Sequence, residues 1–140
     1  MERGYTTPLL DKLGVKPGMR VAVIDVDDGD FLARLSERTS DVTFGPPLSG
    51  TNLVFLGADS IAELMRIAEL RSALVPNGAI WIVSRKGKAA TLRDVDVIEA
   101  AKAAGLVDNK VASFSDTHTA LRLVIPVAQR QPAPRPGGSD

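Results

Sequence analysis

Asp25-Val26-Asp27-Asp28-Gly29-Asp30 places four carboxylates in one short turn. The turn follows residues 20–24, an apolar β-branched run of buried-strand length that the Pro17-Gly18 turn signal introduces. In an open parallel sheet ligands bind beyond the carboxyl ends of the strands, so these acids stand where chemistry belongs. Neighbouring carboxylates can share a divalent cation, or divide the work of nucleophile and proton donor. They also have a plainer use, a solvated turn in which Asp28 or Asp30 caps the next helix. An EF-hand loop is excluded. Its glycine stands sixth, after acids at positions one, three and five, and counting back from Gly29 puts Ile24 first.

A second charged loop, Arg85-Lys86-Gly87-Lys88, follows Ser84 at the end of another apolar run. Its position after a strand predicts that Ser84, Arg85 and Lys86 share a crevice with Asp25, Asp27, Asp28 and Gly29. The loop then serves as an anion clamp, as a salt-bridged lid over Asp25 and Asp27, or simply as charged surface. His118 falls in a polar turn with no placed Ser or Cys partner, which predicts exposure rather than catalysis.

Composition narrows the classes. The chain has 140 residues, 44% apolar and 24% charged, with seventeen basic side chains against seventeen acidic ones. Nothing global steers it to nucleic acid or to an anionic membrane. It has no cysteine and one histidine, which excludes disulfides and makes a zinc site an unfavoured reading; no metal is expected. No apolar run is long enough to span a bilayer and no signal-peptide pattern opens the chain, so a cytoplasmic protein is expected.

The elements that must position these groups alternate. Thr7-Pro8 predicts the cap and first residue of a short helix that turns Leu9, Leu10 and Leu13 inward. Phe31, Leu32 and Leu35 predict a helix after the acidic turn, and residues 42–44 an edge strand stopped by Gly45-Pro46-Pro47. Residues 53–56 read as a buried strand. A long helix capped by Asp59 or Ser60 is expected to reach Leu74, with Ile61, Leu64, Ile67, Ala68, Leu74 and Val75 on its apolar face and Pro76-Asn77-Gly78 ending it. Residues 79–83 are a further buried strand. Thr91-x-x-Asp94 predicts a capping box for a helix to Ala104. Residues 107–114 and 121–127 then form an antiparallel pair, the link being too short for a parallel crossover. This alternation predicts a single α/β, Rossmann-like domain over residues 1–128: a mostly parallel sheet of about six strands, helices on both faces, and a C-terminal antiparallel hairpin. The strands are expected in the order second, first, third, fourth, sixth, fifth. Residues 129–140, rich in proline and glycine, read as a disordered tail.

Leu74-Val75-Pro76-Asn77-Gly78 before an apolar strand resembles the Leu-x-Pro-Gly-Gly turn of class I, S-adenosylmethionine-dependent methyltransferases, and Ala104-Gly105-Leu106-Val107 resembles that fold's closing elements. More specifically, residues 4–124 resemble a group of small bacterial proteins of unknown function with a shortened methyltransferase-like fold. The segments that carry this are Gly4-Tyr5 with Pro8-Leu9, Leu13-Gly14-Val15-Lys16-Pro17-Gly18, and Gly105-Leu106-Val107-Asp108 with Lys110-Val111. Where that group tends to have a tryptophan and a glycine, this chain has His118 and Ala120.

The resemblance implies the fold with one edge strand and its helix missing. It also implies where a cofactor would be held: Gly-x-Gly-x-Gly after the first strand, and a carboxylate at the end of the second for the ribose. The matching positions here are Asp27, Gly29 and Phe31, and then Phe44-Gly45-Pro46, which offers no acid. Separately, an apolar strand before Asp-x-Asp resembles phosphotransferases of the haloacid-dehalogenase type. That likeness implies Asp25 as nucleophile, Asp27 as general acid and a bridging magnesium, with Lys86 or Lys88 on the phosphate and Asp94 or Asp116 on the metal. The Gly-Thr pair that should follow the second acid is absent.

The expected function is a binding or interaction module without methyltransferase activity and without a cofactor, taking a protein partner or a small anionic ligand. The unpaired edge at residues 42–44 allows a homodimer. The rival is an enzyme with a rebuilt strand-end pocket acting on a small anionic substrate, by residual methyl transfer or by magnesium-dependent phosphoryl transfer at Asp25 and Asp27.

Overall fold

The computed structural model describes residues 8–129. In chain order its elements are α1 (Leu9–Lys12), β1 (Val21–Ile24), α2 (Gly29–Arg38), β2 (Val42–Phe44), β3 (Thr51–Gly57), α3 (Ile61–Leu64), α4 (Ile67–Arg71), β4 (Leu74–Arg85), α5 (Asp94–Ala103), β5 (Val107–Ser113) and β6 (His118–Val124). The strands form one six-stranded sheet in the order β2-β1-β3-β4-β6-β5, as the sequence predicts. β2, β1, β3 and β4 run parallel, and β6 is antiparallel to both of its neighbours. β1 is interior and β2 is an edge.

Alternation along the strands builds two cores. Ala22, Ile24, Val54, Leu56, Ile80 and Ile82 meet Leu64, Ile67, Leu70, Val97 and Ala101 from α3, α4 and α5. Val21, Val23, Leu53, Phe55, Trp81 and Val83 meet Leu10 and Leu13 beside α1, and Phe31 and Leu35 of α2, on the opposite face. Central strands covered on both sides must be apolar at every position, which is why they read as continuous runs. The buried Trp81 Nε1–H donates to the Leu13 carbonyl at 3.0 Å, which ties α1's end to the sheet.

Several local expectations are corrected. The helix predicted to run to Leu74 is two short ones, α3 and α4, separated at Met65–Arg66, where Met65 and Arg66 donate to the carbonyls of Ala62 and Glu63. Leu64, Ile67 and Leu70 are buried, but Ile61 and Ala68 are exposed. Leu74 already belongs to β4, and Pro76-Asn77-Gly78 lies inside that strand. It sits in a register shift: Thr51 pairs with Leu74 and Leu53 with Ala79, so the extra residues bulge and the missing proline N–H breaks no ladder bond. Finally, α5 begins at Asp94 rather than Thr91. Arg93 N donates to the Asp96 carboxylate, while the Thr91 hydroxyl donates to the Asp59 carbonyl.

Ser60 does cap its helix, accepting from Glu63 N at 3.2 Å. Pro8 stands at the cap of α1, not at its first helical position. The expected arm, Thr7 and residues 130–140 of the expected tail lie outside the described residues, and Val127–Gln129 form a 3₁₀ turn.

Candidate functional site

β1 ends in an unusual backbone step. Asp25 has φ +57, and among the described residues it is the one non-glycine with positive φ. Aspartate tolerates this left-handed conformation better than most residues do. The step brings the Asp25 carbonyl against the end of β3, where a Cβ on Gly57 would lie 2.1 Å from that oxygen. The Asp25 carboxylate is 3.1 Å from Arg66 Nη1, at the break between α3 and α4. Asp28 caps α2, its carboxylate accepting from Phe31 N at 3.0 Å. Asp27, Gly29 and Asp30 are exposed.

Hollows open on both sides of the acidic turn. A small one of about 130 Å³ is lined by Asp25, Asp27, Asp59, Phe114, Thr117 and His118. The expectation of an exposed His118 is corrected: the residue is half-buried, its Nδ1 is 2.8 Å from the Thr117 hydroxyl, and it opens on the same space as the carboxylates. A wider hollow of about 570 Å³ lies between Asp25, Asp27, Phe44, Gly45 and Arg66.

The basic loop does not pair with Asp25 or Asp27, as the lid among its three readings would require. Arg85 Nε faces Asp59 at 3.8 Å, and its backbone N–H donates to Asp59 Oδ1 at 2.9 Å. Lys86 Nζ donates to the Ser113 hydroxyl at 2.9 Å. Ser84, Arg85 and Lys86 line a separate cavity beside α5. Strand alternation separates the two sites, because Val83 faces the acidic hollow and Ser84, the next residue, faces the other side of the sheet. Sequence reasoning missed Arg66, Gly57, Asp59 and Thr117. A glycine directly after an apolar strand is a visible hint of close approach, whereas the Arg66 contact spans 41 residues and leaves no local signal.

The residues present do not fit S-adenosylmethionine as the methyltransferase motif would hold it. Phe31 stands at the third glycine position as a core residue, 1% exposed, with its ring 5.0 Å from Phe55 and 4.8 Å from Phe114. Asp27 adds an anionic side chain at the first. At the end of β2, Phe44 is 67% exposed, and Gly45 and Pro46 follow with no carboxylate. The donor set for a metal is likewise not assembled: among the described residues no three His, Asp or Glu side chains are placed to hold one ion together, and Asp25 is engaged by Arg66.

A family model described as "protein of unknown function (DUF3052)" matches residues 58–127, half of the chain. The chain belongs to that family. No curated protein matches it. Its fold is similar to that of a SAM-dependent methyltransferase from Aquifex aeolicus, with a TM-score of 0.65 at 14% identity over 84% of this chain and 87% of that one. It is similar also to a precorrin-6y C5,15-methyltransferase from Geobacter metallireducens GS-15, with a TM-score of 0.59 at 13% identity over 82% and 84%. The pyocyanin biosynthetic protein PhzM gives a TM-score of 0.64 at 10% identity over 81% of this chain, which spans about half, 52%, of that one. At such identities the likeness establishes the methyltransferase-like fold, and function must come from the site. Among the described residues no helix is long and apolar enough to cross a membrane.

Proposed function

We propose that this member of the family is a binding or interaction module on a methyltransferase-like scaffold and does not carry out S-adenosylmethionine-dependent transfer. One observation carries the reading: the glycine positions of the cofactor loop are Asp27, Gly29 and Phe31, and Phe31 is built into the core. Close backbone approach to a cofactor needs residues without side chains, and here a carboxylate and a phenyl ring fill those positions. The Asp25–Arg66 pair at the mouth of the wider hollow supports it. A small anionic ligand or a protein is the partner this reading supplies, and the outer edge of β2 is where a second copy would add. Differential scanning fluorimetry with excess S-adenosylmethionine tests the proposal. An unchanged melting temperature is expected, and a concentration-dependent rise overturns it.

A second reading, an enzyme with a rebuilt pocket, draws on His118 opening beside Asp25 and Asp27. An imidazole and carboxylates around one small space are the parts of an acid–base site. His118→Ala separates the readings: it abolishes turnover in an enzyme and leaves a binding module's affinity for a distant partner unchanged.

A further inference from the structure

The cavity behind the basic loop carries an inference of its own. Ser84 is 7% exposed, and no protein group among the described residues bonds its hydroxyl, which is not sealed from solvent. Ile80 and Ile82 point to the α3–α5 side of the sheet, so Ser84, two residues on, directs its hydroxyl to that side as well. There it lines a cavity of about 320 Å³, at the lower end of the range for small-molecule sites. A hydroxyl that opens on a cavity with no protein partner is placed to bond water or a ligand there.

The rest of the lining indicates the ligand. Leu92, Val97 and Leu121 form an apolar floor, while Arg85, Lys86 and Arg93 stand at the rim. Lys86 is bonded to a neutral hydroxyl and so keeps its charge uncompensated at short range. Arg93 is 78% exposed and holds Asp96 through a local i,i+3 pair, a weak contact that it can leave for a stronger anion. α5, ten residues long, begins at Asp94 on the same rim and directs the positive end of its dipole there. The Asp94 carboxylate also opens on the cavity and opposes an anion; Arg85 and Arg93 are paired with Asp59 and Asp96, so Lys86 is the rim cation without a carboxylate partner among the described residues.

We propose that this cavity is a binding site for a small organic phosphate. Its head is held by the Ser84 hydroxyl, the Lys86 ammonium and the Arg93 guanidinium at the start of α5, and its apolar body rests on Leu92, Val97 and Leu121. The site is on the opposite face of the sheet from the acidic hollow, and the proposal does not depend on whether S-adenosylmethionine binds.

Calorimetric titration of the full chain with phenyl phosphate tests it, with benzoate as the carboxylate arm and Ser84→Ala and Lys86→Ala as variants. Ser84→Ala removes an unbonded hydroxyl and Lys86→Ala lies in a loop, so both are expected to keep the wild-type fold. Phenyl phosphate is expected to bind at submillimolar concentration. Each variant should weaken it about tenfold to a hundredfold, the scale of one hydrogen bond to a charged group. Benzoate should bind more weakly than phenyl phosphate in the wild type. No binding of phenyl phosphate, equal affinity in wild type and both variants, or benzoate binding as tightly as the phosphate would each overturn the proposal. S-Adenosylmethionine titrated into the same sample reads the other claim separately.

Discussion

The Asp25 carbonyl oxygen occupies the space that a side chain on Gly57 would need: a Cβ there would stand 2.1 Å from the oxygen and 2.8 Å from its carbon. Both are backbone atoms, so no side chain can swing aside to relieve the clash. The exits of β1 and β3 approach because Gly57 has no side chain, and the acidic turn takes its shape from that approach. Gly57→Ala is therefore expected to destabilise the protein by about 2–3 kcal/mol, the scale of overpacking a filled site. Urea denaturation followed by circular dichroism measures it.

Asp25 itself combines a left-handed backbone with an ion pair whose side chains are 63% and 39% exposed. Solvent screening leaves that pair worth well under 1 kcal/mol, while alanine in the left-handed region costs about 1 kcal/mol or more. Asp25→Ala should thus lower stability by about 1–2 kcal/mol. Asp25→Gly, which adopts the same φ freely, should stay within about 0.5 kcal/mol of the parent. Equal losses in the two variants would show that the backbone conformation is not what sets the cost.

Asp96 adds a pH dependence. The Arg93 backbone N–H bonds its carboxylate, and the Arg93 side chain adds a second bond and a charge, so its pKa is held below the ordinary 3.8. A depressed acid contributes stability that is complete above the unfolded-state pKa and is lost as pH falls through the folded-state value. Stability should therefore decline as the solution is taken below pH 3.8, and Asp96→Asn should remove that part of the acid limb. Denaturation midpoints of both proteins across that range test it.

Magnesium should leave the melting temperature of the parent unchanged, because Asp25 is engaged by Arg66 and no three carboxylates or imidazoles among the described residues are placed to hold one ion together. A rise in the parent that Asp25→Asn abolishes would instead establish a cation site at this turn.

The sheet order was legible because each doubly covered strand is a continuous apolar run and the final link is too short for a crossover. The broken helix was not. Periodicity places Ile61 and Leu64 on one stripe, but only Leu64 is buried, and the turn at Met65–Arg66 serves a contact to Asp25 far away in sequence. Pro76-Asn77-Gly78 carries the signal of a helix-ending turn but lies in a bulge inside β4, because the two settings share their residues. In the candidate site the acidic turn and its Asp28 cap were visible, because both are local. The division into an acidic hollow and a basic cavity was not, because it depends on which face of β4 Val83 and Ser84 occupy.

On the proposed function, Asp27, Phe31 and the acid-free exit of β2 leave no place for the methyltransferase cofactor. Isothermal titration calorimetry of the full chain with S-adenosylhomocysteine measures this most directly. No saturable heat is expected up to millimolar ligand. A dissociation constant in the micromolar range, about −8 kcal/mol of binding free energy, would contradict it.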